Sequence, residues 1–117
     1  MIQIFGTNKC IETKKTLMFF KERRIEFSFI DLRLREISIR EFDSIYANFK
    51  DINCLINLNS KLYKEFYLAH LERTYEQYRK LLTENYDLLK TPINRAKNKA
   101  LIGYDKEKLE MFCQLNK

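Results

Sequence analysis

Cys10 is the residue of this 117-residue chain best placed for covalent chemistry. It lies three or four residues beyond a short apolar run ended by Gly6, at the opening turn of a stretch that reads as a helix. Unpaired backbone N–H groups and the positive end of a helix dipole stabilise an anion at such a point. Lys9, Lys14 and Lys15 add positive charge nearby. A thiol held there has its pKa lowered from about 8.5 toward neutrality, which makes it nucleophilic at cellular pH. The same position also suits a small apolar filler, since most free cysteines are buried and inert.

Cys10-Ile11-Glu12-Thr13 is a C-x-x-T motif, so no second cysteine sits one turn away to resolve a mixed disulfide. Thr13 can hydrogen-bond a thiolate but cannot form a disulfide. A redox cycle on Cys10 is then monothiol, drawing on glutathione or another external thiol, or it recruits Cys54 or Cys113. Both of those cysteines sit among apolar residues and read as core packing. His70 has no partner pattern for a base or a metal ligand, and three widely spaced cysteines make neither a zinc site nor a disulfide framework.

The elements that must position Cys10 follow from hydrophobic period and turn residues. Residues 1–5 read as a buried strand. Thr7 and Asn8 offer N-caps for a helix to about Arg24, and residues 25–32 alternate as a second strand, a βαβ unit. Ser38 and Glu41 have the spacing of a capping box opening a helix to about Phe49. Short helical turns are expected over 51–57 and 61–66, and a longer helix over 74–85. A strand containing Pro92 (90–95), a turn at 97–99 and a strand at 100–102 make a hairpin before Gly103. Asp105 then caps a last helix with Leu109, Phe112 and Cys113 on one side. The order βαβ, helical insert (about 38–89), ββα is that of a single thioredoxin-like α/β domain with a four-stranded mixed sheet over 1–117.

Composition narrows the setting. Hydrophobic residues make 45% and aromatics 14%, which excludes general disorder. No apolar run exceeds four residues, so no membrane span is expected, and the N-terminus lacks a signal-peptide pattern. A cytoplasmic, reducing environment is the expectation. The net charge of +6 sits in the two ends, with 9 bases and 5 acids over 1–40 and 6 and 3 over 91–117, against 7 and 8 over 41–90. The aromatic series Phe66, Tyr67, Tyr75, Tyr78, Tyr86 therefore lacks a basic stripe for nucleic acid, and reads as packing of the insert.

With these residues placed, the sequence resembles the arsenate reductase/Spx family of thioredoxin-like proteins over nearly its whole length. The likeness is carried by Ile4-Phe5-Gly6-Thr7-Asn8-Lys9-Cys10, by the second strand at 25–32 and by Asn59-Ser60-Lys61-Leu62-Tyr63-Lys64-Glu65. The segment at 85–92 and Ala100-Leu101-Ile102-Gly103-Tyr104-Asp105 complete it. The resemblance implies a cis Thr91-Pro92 bond facing the cysteine, with the Thr91 backbone where a thiol substrate pairs.

Three departures bear on function. Where the resemblance implies oxyanion-binding arginines, this chain has Asn59, Thr91 and, near the hairpin exit, Gly103. Neither Asn nor Thr replaces a planar, charged fork. Arg95 is a candidate substitute cation for a small anion or a glutathione carboxylate. The resemblance implies a thiol-dependent oxidoreductase with Cys10 as nucleophile, supported by Asn8, Lys9 and Thr13, with Thr91, Pro92 and Arg95 in the groove. No cofactor is expected to be bound; glutathione or another thiol would be a co-substrate, with glutaredoxin as a partner. The alternatives are an Spx-like regulator that binds the α subunit of RNA polymerase, and a degenerate arsenate reductase.

Overall fold

The computed structural model describes residues 1–115. Its elements are β1 (Ile2–Gly6), α1 (Ile11–Glu22), β2 (Phe27–Asp31), α2 (Ile39–Tyr46), α3 (Lys61–Glu65), α4 (Tyr75–Glu84), β3 (Ile93–Ala96), β4 (Lys99–Ile102) and α5 (Lys106–Leu115). Single 3-10 turns occur at Ile52–Leu55 and Tyr86–Leu88. The chain divides into two compact units, one formed by residues up to Arg35 with those from Thr91 onward, the other by Glu36–Lys90. Among the described residues, no helix is long and apolar enough to cross a membrane.

The first unit holds one sheet in the order β2-β1-β3-β4. β1 runs parallel to β2 and antiparallel to β3, and β3 pairs antiparallel with β4. This is the mixed four-stranded thioredoxin-like sheet expected from the order of elements. Central β1 is nearly continuous in apolar residues because both of its faces are buried. Ile2, Ile4 and Ala96 on one face form a core with Phe19 and Phe20 of α1 and with Leu109 and Phe112 of α5. Phe19 and Phe20 meet edge to face, with ring centroids 5.3 Å apart. Met18 lies outside that core and is exposed, so the apolar face of α1 is narrower than the run 17–20 suggested. Its place on the buried stripe is taken by Thr16 and Thr13, four and seven residues back along the helix from Phe20.

Helix α1 ends without a glycine. Ile25 N–H donates to Phe20 O at 3.0 Å and Arg24 N–H to Lys21 O at 3.1 Å, which is a Schellman closure with Arg24 at φ 55°. The expected hairpin is present, its turn carrying Lys97 at φ 56°. Asp105 caps α5 as expected, accepting from Lys108 N–H at 3.1 Å.

The second unit is helical. Ser38 and Glu41 form the expected capping box on α2, and Thr74 and Gln77 form another on α4. Asp43 ties α2 to α4, accepting from Arg79 at 3.0 and 3.1 Å and from the Tyr75 hydroxyl. Burial and that hydrogen bond push the Tyr75 pKa upward, so the phenol stays protonated. Ile56 and Leu89 form an isolated bridge.

Two expectations for this unit need correction. Cys54 is exposed. The segment around it is one 3-10 turn, in which residues three apart share a face, so Leu55 is buried, Ile52 half-buried, and Asn53 and Cys54 point outward. Nor does packing account for the whole aromatic series. Tyr67 and Tyr86 are exposed, Tyr67 because it is the left-handed residue (φ 53°) of a second Schellman closure, after α3.

Candidate active site

The loop between β1 and α1 is a hydrogen-bonded turn, with Cys10 N–H donating to Thr7 O at 3.2 Å. Lys14 N–H then donates to Cys10 O at 3.1 Å, the first bond of the helix. The N-cap of α1 is therefore Cys10 itself (φ −82°, ψ 118°), not Thr7 or Asn8. The turn uses up those earlier residues and leaves Asn8 and Lys9 exposed. An N-cap side chain faces the free N–H groups of the second and third helical residues, here Glu12 and Thr13.

The half-buried Cys10 thiol lies 3.7 Å from Thr91 O, which is within reach as an acceptor for S–H. Burial works to raise its pKa. That effect is outweighed by hydrogen bonds available to the thiolate: the Thr13 hydroxyl, the Thr91 hydroxyl, and the N–H groups of Thr13 and Glu12. The net direction is downward. Charge from Lys9, Lys14 and Lys15 is not among the causes, because exposed ammonium groups are screened by water and salt.

Thr13 is fully buried, and its Oγ1 has no hydrogen-bond partner. With the thiol protonated, Sγ makes no cap bond and the hydroxyl is idle; ionisation supplies it with an acceptor. Gly6 makes this arrangement possible. A Cβ at Gly6 would fall 2.5 Å from Thr13 Oγ1 and 2.7 Å from its Cγ2. The end of β1 passes so close to the first turn of α1 that a side chain there has no room. Gly6, the Thr91 hydroxyl and the Glu12 N–H are site components that sequence reasoning missed. The sequence does carry one pointer to the first, since the chain has two glycines in all.

On the facing side, the Thr91-Pro92 bond is cis, as the resemblance implied. The hairpin exit fixes this segment. Gly103 N–H donates to Pro92 O at 2.8 Å, and the buried Asn94 amide donates to Leu101 O and Gly103 O at 3.1 and 3.3 Å. Gly103 has φ 89°, a conformation that favours glycine. Tyr104 N–H next reaches Glu12 Oε1 at 3.4 Å, tying the same loop to the first turn of α1.

The structure thus brings Cys10, Thr13 and Thr91 together, with Pro92 next to them in the chain. Arg95 is placed elsewhere. It stands opposite Gln3 in the β1–β3 ladder and donates to Gln3 Oε1 at 2.7 Å. Four residues of extended chain set it about 13 Å along the strand from Thr91. Asn59 lies in the helical unit, exposed, with its N–H bound to Asn57 Oδ1. Cys113 is half-buried against the apolar core, and burial pushes its pKa up, partly offset by Arg23.

Comparison with known proteins agrees with this architecture. The sequence profile of the ArsC family matches residues 5–112. A relative described as global transcriptional regulator Spx 2, from Oceanobacillus iheyensis, is 25% identical over 112 residues, 95% of this chain and 82% of that one. An arsenate reductase from Vibrio cholerae superposes with a TM-score of 0.84 at 20% identity, covering 94% of this chain and 95% of the other. A Staphylococcus aureus protein superposes with a TM-score of 0.77 at 26% identity, covering 95% and 97%.

Proposed function

Because this chain belongs to the ArsC family, we propose that it is a monothiol oxidoreductase with Cys10 as its nucleophile. The Cys10 thiolate attacks one sulfur of a disulfide R–S–S–R′; the Cys10–S–S–R bond forms, and R′–S⁻ leaves and takes a proton from water. A second, external thiolate such as glutathione then attacks the R sulfur and returns Cys10 as thiolate. The net change is exchange of one disulfide for another, with the external thiol oxidised and R′–SH released. Thr13, Thr91 and the Glu12 and Thr13 N–H groups hold the thiolate between steps. Asn8 and Lys9 frame its approach, and Thr91 and Pro92 form the wall along which a thiol substrate lies. Arg95, released from Gln3, would meet a carboxylate of an extended substrate such as glutathione.

The observation that carries the reading is that an N-cap sulfur, 3.7 Å from Thr91 O, faces donors that are free to bind its ionised form. Incubation with oxidised glutathione followed by mass spectrometry tests it. The expected product is one glutathione adduct on Cys10, lost on adding reduced glutathione. An adduct on Cys54 alone would refute it.

A second reading rests on the relative described as a global transcriptional regulator. In it the chain is an adaptor for the C-terminal domain of the RNA polymerase α subunit. Thr13 leaves such an adaptor without a disulfide switch in the C-x-x-T turn. Pull-down with that domain, retained in Cys10→Ser, would favour it.

A further inference from the structure

At the far edge of the sheet, β4 has one neighbour, β3, and among the described residues no strand pairs with its other side. Antiparallel pairing alternates. Because Gly103 N–H bonds to Pro92 O, the residues that turn their N–H and C=O groups outward from β4 are Ala100 and Ile102. Along this edge runs an open cleft of about 710 Å³ between β4 and α5. Its apolar lining comes from Leu101, Met111, Phe112 and Leu115, of which Met111 and Leu115 are 63% and 81% exposed. Lys97, Lys99 and Lys108 also line the cleft, and among the described residues no carboxylate side chain does.

We propose that this edge and cleft form a docking site for an extended partner segment that presents acidic and apolar residues together on one side. The free N–H and C=O groups of Ala100 and Ile102 add such a segment as a fifth strand. Side chains of an added strand point alternately to the two sides. The set that faces the cleft carries both kinds, its apolar residues meeting Leu101, Met111, Phe112 and Leu115 and its acidic residues meeting the lysines. A second copy of this chain is the wrong occupant, because pairing two such edges would bring both lysine sets together; lysine on an edge strand disfavours that contact. The site is independent of Cys10 and of any redox activity.

The probe is a fluorescent glutamate–valine peptide repeating Glu-Thr-Val-Thr, which sets glutamate and valine on one side of the strand, with a lysine–valine counterpart repeating Lys-Thr-Val-Thr and a single-stranded oligonucleotide as comparisons. Fluorescence anisotropy should show binding of the glutamate–valine peptide alone. Its addition should slow amide exchange at Ala100 and Ile102. Reversing the three lysines (Lys97→Glu, Lys99→Glu, Lys108→Glu) should weaken binding about tenfold. Ala100→Pro removes an N–H that the β3–β4 ladder does not use and should weaken it about fivefold. Should Ala100→Pro fail to fold, the charge-reversed variant and the exchange measurement still decide. Equal binding of the lysine–valine peptide, preference for the oligonucleotide, or binding without protection at Ala100 and Ile102 overturns the proposal.

Discussion

Replacing Gly6 by alanine perturbs the thiolate through its neighbour rather than directly. The new Cβ would sit 2.5 Å from Thr13 Oγ1, 2.7 Å from Cγ2 and 3.2 Å from Cβ. Carbon contacts settle at about 3.5–4.0 Å, so strand and helix must part by roughly 1 Å. Thr13 is fully buried and stiff at χ1, and cannot swing aside freely. Overpacking of this kind costs about 1–3 kcal/mol. Moving the hydroxyl off the sulfur removes a bond to a charged group worth about 1.5–3 kcal/mol. Losing that bond raises the Cys10 pKa from its lowered position. A lowered folded-state pKa contributes stability that is present above the unfolded thiol value and lost as pH falls through the folded value. In Gly6→Ala that alkaline contribution shrinks. Urea unfolding and the pH dependence of thiolate absorbance read the two effects separately. Adding Thr13→Ala removes the clashing Oγ1 and Cγ2, so the double variant should regain most of the lost stability while the Cys10 pKa stays high. A Gly6→Ala protein with an unchanged urea midpoint and an unchanged Cys10 titration would refute the reasoning.

Three further outcomes are expected. Alkylation followed by mass spectrometry should give Cys10 a midpoint below the ordinary thiol value and Cys113 one above it, since hydrogen bonds prevail at the first and burial at the second; coincident pH profiles would contradict this. Ser38→Ala, which breaks the capping box of α2, should lower stability by about 1 kcal/mol in urea unfolding without moving the Cys10 pKa. Arg24→Gly should raise stability by roughly 0.5–1 kcal/mol, because the left-handed conformation at Arg24 costs a non-glycine residue more than glycine loses in chain entropy.

Much of the frame was legible because its signals are local. The capping box at Ser38 and Glu41, the alternation after Ile25, the cap at Asp105 and the glycine at 103 each name a backbone conformation directly. What escaped is set by contacts between distant segments or by exceptions to residue preference. Arg24 and Tyr67 close helices in a conformation usually given to glycine, so neither helix end is marked by residue type. Cys54 looked like core because its neighbours are apolar, but in a 3-10 turn it lies between the residues that face inward. In the candidate site, the cysteine and its place at a helix start were readable. Its exact position as N-cap was hidden by the Thr7–Cys10 turn, which moves the helix start past two better capping residues. The match of Gly6 to Thr13 is a tertiary close approach, and nothing in the spacing of the two residues announces it.

Activation of Cys10 is tested most directly by titrating that thiol in a Cys54→Ser, Cys113→Ser background. The midpoint should fall below the ordinary thiol value and rise when Thr13→Val removes the buried hydroxyl. A midpoint at or above the ordinary value, unmoved by Thr13→Val, would contradict the account.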